Sequence, residues 1–96
     1  MNARETAERH GGFVCQGNMQ GVMADFASPE VLQDFQKHGK MPPRGTTKAE
    51  VVSENQDGDR YVYEIKYSND AGDSLTIRSK WGKQGEEWKI VEAAPV

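Results

Sequence analysis

The chain has 96 residues, 35% hydrophobic and 28% charged, with 12 basic against 15 acidic side chains and a net charge of −3. That balance, with a pI near 5.3 and a mean hydropathy of −0.82, argues against an electrostatic grip on nucleic acid or anionic lipid. No apolar run approaches the roughly 20 residues of a membrane span, Met1 to His10 is too polar to read as a signal peptide, and Cys15 has no second cysteine for a disulfide or zinc site, so a cytoplasmic location is expected.

Three helical segments are predicted first. Ala3 to Gln16 sets Ala3, Ala7, His10 and Val14 on one stripe at spacings of four, three and four, with Phe13 beside it. Within it, Gly11-Gly12 either breaks the helix or lets a neighbour approach bare backbone, because each helical glycine costs about 1 kcal/mol relative to alanine. Asn18 is a suitable N-cap for a second helix carrying Met19, Val22, Met23 and Phe26 on one face. In the third, Ser28 caps, Pro29 takes the first helical position, and Glu30 favours the positive end of the dipole. Val31, Leu32 and Phe35 form its apolar face; Lys37 and His38 sit in its last turn, Gly39 closes it, and Pro42-Pro43 prevents continuation.

Four strands are predicted next, about Thr46–Glu54, Arg60–Ser68, Ser74–Trp81 and Glu87–Ala93. Asn55 to Asp59 and Asn69 to Asp73 both read N-x-x-G-D, which suits a three-residue hairpin loop with glycine in the left-handed region; Gly82 to Glu86 is a looser third turn. Pairing Asn69 with Asp73 sets Tyr67 opposite Leu75, Ile65 opposite Ile77, Tyr63 opposite Ser79 and Tyr61 opposite Trp81. An aromatic match places Trp88 opposite Trp81 and Ile90 opposite Ser79, and the first hairpin places Val51 opposite Tyr63 and Ala49 opposite Ile65. One face of the meander is then aromatic and aliphatic. The other is mixed and charged, with Glu64 meeting Arg78. Neither layer buries its apolar side alone, so the expected class is α+β: three N-terminal helices packed on a curved four-stranded antiparallel meander in a single domain, 1–96.

Gly17-Asn18-Met19-Gln20-Gly21-Val22-Met23-Ala24-Asp25-Phe26-Ala27 resembles the helix-turn-helix segment of the nuclear transport factor 2-like superfamily, which includes ketosteroid isomerases, scytalone dehydratase and polyketide cyclases. Trp81 to Val91, with its Trp88-Lys89-Ile90 strand after a glycine turn, is similar to that family's terminal hairpin. The resemblance implies a cone-shaped fold, and the short chain implies a trimmed cone with a shallow cavity. An ungapped comparison with the ketosteroid isomerases brings His10 onto their oxyanion-donor tyrosine and Asp34 onto their general-base aspartate. Asp34, however, belongs to a well-capped helix on a spacing that points to solvent.

His10, Tyr61, Tyr63, Trp81 and Glu92 are the candidate ligand-binding residues. His10 lies on an apolar stripe, where an imidazole either bonds a ligand oxygen or is simply a histidine at the core edge. Tyr61, Tyr63, Tyr67, Trp81 and Trp88, with Ser79 and Glu92 interleaved, form either an aromatic-walled pocket or plain core. Glu92 is either an inward acid or a solvated strand end. Cys15 has no base at triad spacing and reads as an inert thiol, and His38 as a dipole partner. No spacing matches a helical zinc pair, a phosphate loop or a dinucleotide fingerprint, so neither metal nor cofactor is expected. Family resemblance implies a homodimer through the outer sheet face, where Val62, Val91 and Ala93 lie among Glu64, Lys66, Arg78, Lys80 and Lys89. The expected function is binding of a small hydrophobic or aromatic ligand between helices and sheet. The alternatives are a cofactor-free isomerase, dehydratase or cyclase using His10 with Asp34 or Glu92, and a ligand-free dimerisation scaffold.

Overall fold

The computed structural model describes all 96 residues. Helix α1 spans Ala3–Gln16. Asn2 starts it with a capping box: its side chain accepts from the Glu5 N–H at 2.7 Å, and the Glu5 carboxylate accepts from the Asn2 N–H at 3.0 Å. The helix ends at Gly17, at φ +70°, where Asn18 N–H reaches Phe13 O at 2.9 Å and Gly17 N–H reaches Val14 O at 3.1 Å. It does not break at Gly11-Gly12. Gly11 faces β1, where a Cβ would come within 2.9 Å of Ala49 Cβ, whereas Gly12 has nothing within 4 Å of that position. Close approach thus explains the first glycine and not the second.

Helices α2 (Met19–Ala24) and α3 (Pro29–Gln36) begin at Asn18 and Ser28, whose side chains accept from Gly21 N–H and Val31 N–H. Between them the chain lies along the edge of the sheet. Ile90 N–H donates to Asp25 O at 2.7 Å, and Ala27 N–H donates to Ile90 O at 2.8 Å, forming one parallel bridge. Lys89 reinforces the corner by donating from Nζ to Ala24 O at 2.8 Å.

Strands β1 (Thr46–Asp57), β2 (Arg60–Asn69), β3 (Ser74–Gln84) and β4 (Glu87–Pro95) form an antiparallel meander in sequential order. The molecule is therefore α+β, with three helices and a four-stranded antiparallel sheet. The β2–β3 register is the expected one, from Tyr61 opposite Trp81 to Tyr67 opposite Leu75. Both outer hairpins differ from expectation. Asp57 pairs with Arg60 and Gln84 with Glu87, leaving two-residue turns led by Gly58 at φ +63° and Gly85 at φ +65°. A positive φ confined to the first central residue is the type II′ pattern, whose twist suits a tight hairpin. Consequently Val51 faces Ile65, Ala49 faces Tyr67, Trp81 faces Ile90, and Trp88 faces Lys83. Trp88 meets Tyr61 edge-on at 5.4 Å instead of lying opposite Trp81.

The outer hairpins also carry bulges, at Thr47 and Val52 in the first and at Val91 in the last. An extra residue reverses which face the following side chains occupy. Beyond Val91, Glu92 therefore sits opposite Lys80 on the outer face, and Ala93 sits opposite Ser79 on the inner one. The inner face and the helices enclose Ala3, Ala7, Phe35, Tyr63, Ile65, Tyr67, Ile77, Trp81 and Ile90, with Trp81, Tyr63 and Ile90 the most occluded large side chains. Burial of each large apolar side chain contributes about 1.5–3 kcal/mol, so these anchors dominate the stability of a chain this small.

Candidate functional site

His10 projects from the middle of α1 toward the sheet, its ring edge-on to Trp81 at 5.6 Å and to Phe26 at 6.4 Å. Its Nδ1 lies 2.9 Å from Asp25 Oδ2, and the two side chains are 8% and 3% exposed. Asp25 holds its position because its own carbonyl accepts from Ile90. Its second oxygen faces Arg9 Nη2 at 3.5 Å, and the Arg9 guanidinium lies 5.4 Å from the Phe13 ring centroid. One hydrogen bond and one ion pair converge on this carboxylate, which offsets the cost of burying it. An ionised carboxylate only accepts, so Nδ1 carries a proton, and in the neutral imidazole Nε2 presents the lone pair. Nε2 makes no hydrogen bond within the chain.

His10 lines a small, partly enclosed cavity of about 40 Å³ together with Phe26, Phe35, Tyr67, Ser79 and Ile90 among others. Such a volume admits a water-sized group, for which roughly 10–15 Å³ suffices, and is far below the roughly 300–1,000 Å³ of a drug-sized pocket. Tyr67 is 2% exposed, and its hydroxyl has no partner within the chain. Burial pushes its pKa well above the ordinary tyrosine value, with smaller contributions from Cys15 and Asp25. Ser79 is engaged on both sides: its Oγ accepts from Trp81 Nε1 at 2.9 Å and donates to Tyr63 O at 3.3 Å.

Outside this cavity lies an open, mainly apolar cleft of about 370 Å³ between the end of α1, α2 and the segment before β1, lined by Val14, Cys15, Met19, Val22, Met41 and Pro42 among others. Val14, Val22, Met41 and Pro42 line both spaces and form the partition between them. Met19 and Met41 are about half exposed, so the cleft is edged by flexible, polarizable side chains that adapt to apolar guests.

Of the five candidate ligand-binding residues, only His10 lines these spaces, joined there by Tyr67 and Ser79 from the aromatic sheet face. Tyr63 and Trp81 are 1% and 0% exposed and fill the core. Tyr63 donates to Glu54 Oε2 at 2.8 Å, Glu54 Oε1 accepts from Arg4 at 2.9 Å, and burial first, then Glu54, raises the Tyr63 pKa. Tyr61 stacks on Tyr63 at 6.3 Å, away from the cavity. The bulge carries Glu92 to the outer face, where its side chain is 74% exposed and 3.9 Å from Lys80. Asp34 is equally solvated, 76% exposed and 3.6 Å from Lys37. Neither acid reaches His10. The residue that does is Asp25, which stands just outside α2 and belongs to no helical stripe; its only sequence signal is an acid beside the apolar Phe26.

No group of His, Cys, Asp and Glu side chains is arranged to hold a metal ion, and no helix is long and apolar enough to cross a membrane. Comparison with protein-family models, curated proteins and solved structures finds no match to this chain.

Proposed function

We propose that the chain is a small-ligand-binding domain whose apolar guest lies in the cleft and reaches toward the cavity beside His10. The observation that carries this reading is the shared wall of Val14, Val22, Met41 and Pro42 between a 370 Å³ cleft and the small cavity that His10 lines. The cleft falls within the range of small-molecule sites, and Met41 is a side chain that rearranges readily. The cone-shaped, nuclear transport factor 2-like reading of the fold is supported by element order, helices first and a bulged antiparallel sheet second. The test is a thermal-shift and NMR titration with medium-chain and aromatic compounds. A ligand at one hundred times its Kd stabilises the fold by about 2.7 kcal/mol, worth on the order of 10 °C in Tm for a chain this size. Absence of saturable shifts at Val14, Val22 and the Met41 methyl across the panel rejects it.

The His10–Asp25 pair favours a second reading, a cofactor-free isomerase, dehydratase or cyclase. A carboxylate-held imidazole with a free Nε2 is a general base in form, and Tyr67 is a donor on the same cavity. Turnover of an enolisable or β-hydroxy carbonyl compound, abolished by His10→Gln, tests it. Homodimerisation through the outer face is also proposed, supported by partly exposed Val62 and Val91 beside the Glu64–Arg78 pair at 3.1 Å. Sedimentation at two concentrations, with Val62→Lys as the disrupting variant, decides between one copy and two.

A further inference from the structure

We infer that the small cavity is a hydroxyl-binding site, with His10 Nε2 as acceptor and the Tyr67 hydroxyl as donor, for the head group of an aliphatic alcohol whose tail occupies the cleft. The inference rests on the small-ligand reading above and names the chemistry that this site selects.

Three of the residues that line the mainly apolar cavity carry polar side-chain atoms: His10, Tyr67 and Ser79. Ser79 is already engaged by Trp81 and by the Tyr63 carbonyl. What is left is one acceptor and one donor, on side chains belonging to residues 6% and 2% exposed. Asp25 sets the polarity, since its carboxylate accepts a hydrogen bond from Nδ1–H, with a heavy-atom distance of 2.9 Å, and leaves Nε2 as the lone-pair end of the neutral ring. Burial of Tyr67 keeps its phenol protonated and therefore donating.

A hydroxyl both gives and accepts one hydrogen bond, so it satisfies both groups at once. An ether or carbonyl oxygen accepts from Tyr67 and leaves Nε2 unmatched. A carboxylate has no proton for Nε2 and brings a second negative charge toward buried Asp25. An ammonium has no acceptor for Tyr67. The cavity has room for a terminal hydroxyl and its carbon, but not for a ring system, so the apolar body must remain on the cleft side of Val14, Val22, Met41 and Pro42.

The experiment titrates the isotope-labelled full chain with 1-octanol, methyl octyl ether and octanoate, following backbone amides and the His10 imidazole nitrogens. The alcohol is expected to bind roughly tenfold more tightly than the ether, the change given by one hydrogen bond, and octanoate is expected not to bind. Nε2 should move upfield with the alcohol alone. Tyr67→Phe should weaken the alcohol about fivefold to tenfold; if that variant does not fold, the alcohol-ether comparison on the unaltered chain decides. Equal affinities for alcohol and ether with an unmoved Nε2 overturn the hydroxyl site and leave the cleft reading standing. Unchanged alcohol affinity in folded Tyr67→Phe overturns Tyr67 as the donor. No saturable binding by any of the three overturns both the site and the reading beneath it.

Discussion

His10 donates from Nδ1 to Asp25 at 2.9 Å across fifteen residues of chain, and both side chains are more than nine-tenths enclosed. The bond joins the centre of α1 to the corner that Ile90 fastens to the sheet edge. It is thus a tie between the helical layer and β4 as well as the device that sets the imidazole tautomer.

Removing either partner leaves the other buried without its bond. Asp25→Ala and His10→Ala should each destabilise the fold by about 3 kcal/mol, in the range for breaking a buried pair. The double variant should cost clearly less than the sum, by about 1–2 kcal/mol, because the two losses are the same bond counted twice. Urea unfolding of the four proteins measures this. Strict additivity removes the coupling.

Gly11 and Gly12 are adjacent in one helix, yet substitution by alanine should act in opposite directions. At Gly11 the new methyl meets Ala49 Cβ at 2.9 Å, too close for a rigid pair, so overpacking of about 1–3 kcal/mol outweighs the helix-propensity gain of about 1 kcal/mol. At Gly12 nothing stands within 4 Å, and the propensity gain of up to about 1 kcal/mol is free to appear. Gly11→Ala combined with Ala49→Gly should recover most of the loss. Thermal unfolding of the three variants gives the signs directly.

Local rules reached far into this fold and stopped where two of them competed. Helix starts at Asn18 and Ser28 and the β2–β3 register followed from caps, periodicity and one turn. The outer hairpins did not, because a two-residue glycine turn and the Ile90–Asp25 ladder outweigh an aromatic match of Trp81 with Trp88. The bulge at Val91 then moved Glu92 out and Ala93 in, which side-chain alternation alone cannot foresee. Within the site, His10 was legible from its apolar stripe. Asp25 was not, because only the chain reversal at Gly17 and Asn18 carries it back beside His10.

Tyr63 and Tyr67 should make the protein sensitive to alkali. Both phenols have pKa values raised above the ordinary value near 10, chiefly by burial, and Tyr63 is further held protonated by the Glu54 carboxylate at 2.8 Å. The unfolded chain therefore gives up these protons at lower pH than the folded one. Their contribution is fully present below about pH 10 and is lost as pH rises above it, by at most about 1.4 kcal/mol per pH unit for each tyrosine. Urea midpoints from pH 8 to pH 11.5 should fall along this line, and Tyr63→Phe should flatten the fall. A midpoint independent of pH above 10 refutes it.

If the proposed guest passes from the cleft to the cavity, Met41 controls its passage. It lines both spaces and is 49% exposed, so truncation removes a wall without opening a large hole in the core. Met41→Ala should destabilise the protein by only about 1 kcal/mol, below the usual range for a fully buried methionine, while speeding entry and exit of a cleft-bound alcohol. Met41→Trp should do the reverse, filling the throat with a rigid ring and suppressing binding at nearly unchanged stability. Line-shape analysis of 1-octanol titrations measures the exchange rates, and urea unfolding measures the stabilities. If both variants exchange ligand at the rate of the unaltered chain, the guest does not pass Met41, and the partition between the two spaces has no part in binding.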